Sequence, residues 1–236
     1  MTRMTEAEWL RCTDPGPMLE FLSGRASERK LRLFACACCR RVWHLLTDER
    51  SRRAVEIMER DADGAAGNED LYLAVVGAES VANRRTTEAV GAAEEAAASA
   101  AFAALNATLP DAARAADYCA ANAASAVYHA ATAASAPSAA DARAAERSGQ
   151  VRLLWEVFGN PFRLPPLSLD VLAWNDGTPP RLARAIHDEC AFDRMPILAD
   201  ALEDAGCDNA DVLNHCRQPG EHVRGCWVVD LILGKE

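Results

Sequence analysis

Lysine is almost missing from this sequence of 236 residues: Lys30 and Lys235 are the only two. Aromatic residues make up 6%, so the core cannot rest on large rings and must be thin in places. No segment reaches the ~18 uninterrupted apolar residues that a membrane helix requires. The opening "MTRMTEAEWL" has no apolar stretch of the kind a secretory signal carries. Together these two absences predict a cytoplasmic protein that does not enter a membrane. Positive charge is also short overall. A formal net charge of -10 disfavours nucleic acid as an obligate partner, because neutralising phosphates takes a surplus of Lys and Arg. Gly-rich phosphate loops, G-x-S-x-G elbows and H-E-x-x-H are missing as well, which removes the common signatures of nucleotide, hydrolase and metalloprotease chemistry.

What is present is helix. Thr5 and Glu8 have the spacing of a capping box, and Asp14 with Pro15 offers an N-cap followed by a first-turn proline. Ser27 opens "ERKLRLFACACCRRVWHLL", in which Leu31, Phe34, Ala35, Cys38, Val42, Leu45 and Leu46 recur at spacings of three and four. That spacing predicts an amphipathic helix with a single buried stripe, Cys38 lying in it and Cys36 pointing away. Asp48 is placed to cap the next helix, and the two glycines of "DADGAAGN" mark its end.

From Asn68 to about Arg147 the composition turns to alanine. Ala113, Ala116, Ala120, Ala123, Val127, Ala130 and Ala134 step by three and four, which describes a helix seam of small side chains. Pro110 with Asp111, and Pro137 with Ser138, pair a breaker with a cap and cut the region into three helices. Alanine favours helix strongly, yet each buried methyl contributes only about 0.8 kcal/mol, so such helices must approach closely. Tyr72, Phe102, Tyr118 and Tyr128 punctuate the tract and argue against a disordered low-complexity segment.

Beyond "RSGQVRLLWEVFGNPF" a conventional apolar pattern resumes with Val151, Leu154, Trp155 and Phe158, and Gly159 and Pro161 end it. A proline-rich crossing leads to a short turn near Ser168 to Trp174. Thr178, Asp193 and Asp208 are then expected to cap three short helices, and a fourth runs from about Cys226 to Leu233. The predicted fold is all-α: an N-terminal helical cluster (1–66), long Ala-rich antiparallel helices (67–150) and a C-terminal four-helix unit (151–236), packing as one contiguous domain.

The strings "MTEAEWL", "RKLRLFACACCRRVWHLLTDERSRRAVE", "GNPFR", "WNDGT", "AFDRMPILADALEDAGC" and "HVRGCWVVDLILGKE", taken with the alanine-rich middle, resemble an alanine-rich helical family present in many copies in planctomycete genomes. The likeness covers nearly the whole chain. It implies one contiguous helical unit whose alanine-rich middle acts as a spacer, and it brings no catalytic residue with it.

Chemistry concentrates near the C-terminus: Cys207, His215, Cys216, His222 and Cys226, with His187 and Cys190 just upstream. Nine cysteines, an odd number, without an export signal point to reduced thiols. Zinc takes four such ligands in a tetrahedron, and the spacing of His222 and Cys226 can direct both at one ion. Cys207, Cys216, His222 and Cys226 are the candidate ligands. Against this, the C-terminal cluster has no C-x-x-C knuckle, and small cysteines are common in cores. Cys226 also follows Gly225 at a helix start, where a thiolate is stabilised, but a nucleophile needs a base and an oxyanion site that spacing cannot show. "CACC" (Cys36, Cys38, Cys39) sits mid-helix and reads as core. His44 reads as a surface or capping residue, and His129 stands alone among alanines. Asp188, Glu189, Asp200, Glu203 and Asp204 read as solvated helix faces.

Three functions are compatible with these residues. The first is a non-enzymatic helical interaction or scaffold module for a protein partner. The second is a zinc-stabilised or redox-responsive module using the C-terminal Cys/His cluster. The third is a nucleic-acid-associated accessory protein using Arg25, Arg29, Lys30, Arg32, Arg40, Arg41, Arg50, Arg52, Arg53 and Arg60, although a charge run of this kind is ordinarily a solvated helix face.

Overall fold

The structure, a computed structural model, describes residues 4–89, 91–136, 138–163 and 165–236. Among the described residues every regular element is a helix. The chain divides into two compact units, Met1–Leu154 and Trp155–Glu236.

The N-terminal unit begins with α1 (Glu6–Arg11) and α2 (Pro15–Leu22). Thr5 and Glu8 form the expected capping box, and Asp14 caps α2 through the amide of Gly16. Ser27 and Asp48 cap α3 (Glu28–Arg41) and α4 (Glu49–Ala62). The Ala-rich tract supplies α5 (Asn68–Glu88), α6 (Ala92–Ala107), α7 (Ala112–Ala133) and α8 (Ala139–Phe158). The division differs from the prediction at one place, where Gly91 separates α5 from α6 as an extended N-cap. Asp111 caps α7 as expected, whereas Pro137 lies outside the described residues. Ser138 accepts the Asp141 amide at 3.0 Å.

Of these Ala-rich helices, α5, α6 and α7 lie against neighbouring helices. α6 and α7 pack along each other, and both pack on α3. The predicted seam holds at Ala116, Ala120 and Ala123, which are buried, but Val127 and Ala130 are only half-buried and Ala134 is exposed. Cys119 joins the seam instead, its thiol donating to the carbonyl of Ala103 at 3.1 Å.

α3 departs from the single-stripe expectation, since Leu31 through Cys39 are all buried. The cause is its surroundings: α4, α6 and α7 contact it together, and a helix covered on several sides loses its polar face. Cys36 therefore does not point outward, and its thiol faces the carbonyl of Val55 at 3.8 Å.

Several arginines of this unit are held by acids, carbonyls or rings. Arg32 donates to the carbonyls of Ala107, Leu109 and Pro110, satisfying groups the end of α6 leaves open. Arg40 makes a two-toothed pair with Glu59 and stacks on Trp43, its guanidinium carbon 4.0 Å from the ring centre. Arg29 pairs with Asp63 and Arg41 with Glu146. Arg41 crosses α8 at Gly149, where an added Cβ would lie 2.2 Å from the guanidinium. Glycine is needed there for the close approach.

The C-terminal unit takes in the last turn of α8, then α9 (Leu169–Glu189), α10 (Met195–Asp204), α11 (Ala210–Arg217) and α12 (Trp227–Leu233). α9 is two helices joined by a left-handed turn: Asn175, Asp176 and Gly177 all have positive φ. Three of the predicted caps fall differently. Thr178 does not serve as an amide cap: it donates its hydroxyl to the carbonyl of Asn175 and accepts from the Arg181 guanidinium, and Pro180 at the second helical position has no N–H to offer. Asp193 lies inside a 3₁₀ turn (Phe192–Arg194), so α10 starts without a side-chain cap. Asn209, not Asp208, caps α11 through the amide of Val212. The core of the unit is built from Ile186, Met195, Leu198, Leu202, Val212, Val228 and Ile232, with Cys207, Cys216 and Cys226 among them.

Candidate metal centre

Four donors converge inside the C-terminal unit. α11 presents Val212 and Leu213 to the core, and His215, one turn beyond Val212, follows them inward at 8% exposure. The helix ends at Gln218, whose own amide bonds back to Asn214 at 2.8 Å, and Pro219 prevents its continuation. The chain then turns through Gly220 and places His222 before Gly225, whose φ of +88° bends it into α12. Cys226 is the N-cap of that helix and is 1% exposed. The fourth donor is Glu156 in the last turn of α8, 5% exposed and surrounded in sequence by the buried Leu153, Leu154, Val157 and Phe158.

The distances make these four residues a candidate coordination set. His215 Nε2 lies 3.2 Å from Glu156 Oε2 and 3.3 Å from Cys226 Sγ. His222 Nδ1 lies 3.1 Å from both carboxylate oxygens of Glu156. One donor atom from each of the four residues falls within 4.8 Å of every other. Zinc bonds of about 2.0 to 2.3 Å in a regular tetrahedron put neighbouring donors about 3.3 to 3.8 Å apart. The observed separations approach those edges, so an ion needs only small side-chain movements to enter.

Packing holds the donors. Trp227 lies against the His215 ring with centroids 5.1 Å apart, and His222 meets His215 edge-on at the same separation. Gly159 ends α8 in the left-handed region, and a Cβ there would press on the Trp227 ring at 3.0 Å. Gly159 therefore lets the indole sit between the end of α8 and the two histidines.

The charges are consistent with a cation site. Burial alone raises the Glu156 carboxyl, but hydrogen bonds from His215 and His222 outweigh it and leave the group below its usual range, ionised. Burial, followed by the neighbouring Glu156 charge, pushes the Cys226 thiol well up. A thiol so placed is protonated at neutral pH and inert as a nucleophile, and a coordinated cation reverses that balance by taking the thiolate directly. A divalent ion bound by one carboxylate, one thiolate and two neutral imidazoles leaves no net charge, which suits a buried position.

Of the residues expected as ligands, His222 and Cys226 belong to this group. Cys207 and Cys216 do not: both are buried in the apolar core of the unit, and burial pushes the Cys216 thiol up to about 12. His215 and Glu156 take their places. Glu156 was hidden by its setting on the last turn of a helix, far from the Cys/His cluster in sequence. Its one signal is an acid inside an apolar run at a helix end that is buried nearly all round. The upstream pair goes elsewhere: His187 bonds to Asp188 and Lys235 at 2.8 and 3.0 Å, and Cys190 is an exposed left-handed cap. In the N-terminal unit His44 is exposed, and His129 pairs with Glu95 at 2.9 Å.

No helix of the described residues is long and apolar enough to cross a membrane. Comparison with protein families, with curated proteins and with solved structures finds no match in any of the three.

Proposed function

We propose that the C-terminal unit is a zinc-stabilised helical module, in which Glu156, His215, His222 and Cys226 hold one ion in a structural role. The observation that carries this reading is the convergence of four donors of three kinds within 4.8 Å of one another, three of them in buried residues and the fourth on a His222 side chain 6% exposed. Structural zinc sites are closed by four protein ligands, whereas catalytic ones keep a position open. Four ligands that are each under a tenth exposed favour the closed, non-enzymatic case.

A separate role, presenting a helical surface to a protein partner, falls to the N-terminal unit. Tyr72, Leu73 and Val76, on one side of α5 and 67%, 50% and 43% exposed, are the apolar surface that supports this part of the reading.

Native mass spectrometry of the whole chain after zinc loading tests the metal. One ion per chain is expected, lost in Cys226→Ser. A chain that takes up no ion, with melting indifferent to zinc and to chelator, overturns the proposal.

A further inference from the structure

We infer that Gln218 is a positioning residue for the metal, setting which nitrogen of His215 carries the proton. The inference rests on the metal reading above. Gln218 Nε2 lies 3.2 Å from His215 Nδ1, on the side of the ring opposite the atom that faces the cluster. The two residues are one helical turn apart, and Gln218 is fixed as the C-cap of α11 by its amide bond to Asn214 and by Pro219 behind it. Gln218 itself is exposed, and its side-chain amide reaches the imidazole from the end of the helix.

A neutral imidazole has one N–H and one lone pair. With the NH₂ group of Gln218 aimed at Nδ1, the proton belongs on Nε2, where Glu156 Oε2 at 3.2 Å accepts it. That is the ion-free arrangement. An ion needs the Nε2 lone pair, so in the loaded site the ring must carry its proton on Nδ1. A half-turn of the Gln218 amide presents Oε1 there as acceptor. The change is one of tautomer: Nε2 gives up a proton as Nδ1 gains one. Ligating histidines ordinarily bond a carboxylate or carbonyl through the second nitrogen, and loss of that partner typically costs 10- to 100-fold in metal affinity. Gln218 differs from a carboxylate because it serves both tautomers.

Long-range ¹H–¹⁵N spectra of the whole chain read the tautomer of His215 directly. Nε2–H is expected without zinc and Nδ1–H with it. Gln218→Glu should move the ring toward Nδ1–H before any zinc is added and should bind zinc at least as tightly as the wild type. Gln218→Met, of similar length but without the amide, should bind zinc 10- to 100-fold more weakly while its backbone amide spectrum stays unchanged. Equal affinity in Gln218→Met, with no change of tautomer in Gln218→Glu, overturns this inference and leaves the metal reading standing. A wild-type chain that binds no zinc removes both.

Discussion

The N-terminal unit packs long helices along one another, whereas the C-terminal unit packs short helices on an apolar core with a cluster of polar donors beside it. α6 and α7 run 16 and 22 residues, and their alanine faces meet along that length, so many small contacts accumulate where each methyl contributes only about 0.8 kcal/mol. Its buried charges form pairs, Arg41 with Glu146 among them. α10, α11 and α12 run 10, 8 and 7 residues, below the ~12 to 15 at which an isolated helix becomes even marginal. Small units of this kind commonly need a staple beyond their apolar core. The difference teaches where a chain of this composition rests on repeated small contacts and where it gathers its polar donors.

The sharpest way to break the comparison is to supply and remove the ion. Hydrogen exchange of the whole chain should show amides of 195–233 slowing when zinc is added and recovering with chelator, while those of 92–133 stay unchanged. At an ion concentration a thousand times its dissociation constant the gain is about 4 kcal/mol. Equal slowing in both regions would mean that the ion acts on the chain as a whole and not through the four donors.

Next in size is Glu156→Ala. The substitution leaves His215 and His222 without the carboxylate that accepts from them, and a buried donor left unsatisfied costs about 1 to 3 kcal/mol. The loss should appear in 195–233 without added zinc. Cys207→Ser and Cys216→Ser separate the ligand set read from the sequence from the candidate set that converges in the structure. Each buries a hydroxyl in an apolar site at a cost of about 1 to 3 kcal/mol, yet neither should lower the number of ions bound, whereas Cys226→Ser should abolish binding.

The same contrast explains what the sequence makes legible. Caps are local chemistry, so Thr5, Asp14, Ser27, Asp48 and Asp111 could be placed from their neighbours alone. They failed where competing polar residues stood side by side, as with Asp208 and Asn209, or where prolines removed the amide a cap would accept. Burial on all sides is a tertiary property. Cys36 on the covered α3 was missed for that reason, and so was Glu156, which reaches its partners from 59 residues before His215 in the chain. Spacing could pair His222 with Cys226 because one turn joins them; it could not bring in a helix end from elsewhere.

Gly149→Ala and Gly159→Ala compare the units at the scale of one methyl. In the first, the added Cβ meets the Arg41 guanidinium, the far end of a flexible side chain, which can withdraw and give up Glu146. In the second it meets the Trp227 ring while forcing a residue at φ +60° out of glycine's range. The ring is packed on His215 and cannot withdraw. Both should destabilise by about 1 to 3 kcal/mol, and only Gly159→Ala should also weaken zinc binding. A weaker zinc site in Gly149→Ala would contradict the local assignment.

The smallest expected effect belongs to the N-terminal unit and is electrostatic. Asp48 accepts the Arg50 amide at the start of α4 and pairs with Arg50 and with Arg84 of α5. The Arg50 side-chain hydrogen bond, with the Arg50 amide and Arg84 adding to it, holds the Asp48 carboxyl far below its usual range. A carboxyl depressed in the folded state adds stability that is complete above its unfolded pKa of about 3.9 and is lost as the pH falls toward the folded value. Asp48→Asn keeps a good capping side chain and removes only the charge. The variant should be less stable than the wild type by about 1 kcal/mol at pH 7, a modest amount because these pairs lie near the surface. The gap should close as the pH falls below 4, since the wild type then loses what the variant never had. A gap of constant size down to pH 2 would show that Asp48 acts through its shape as a cap and not through its charge.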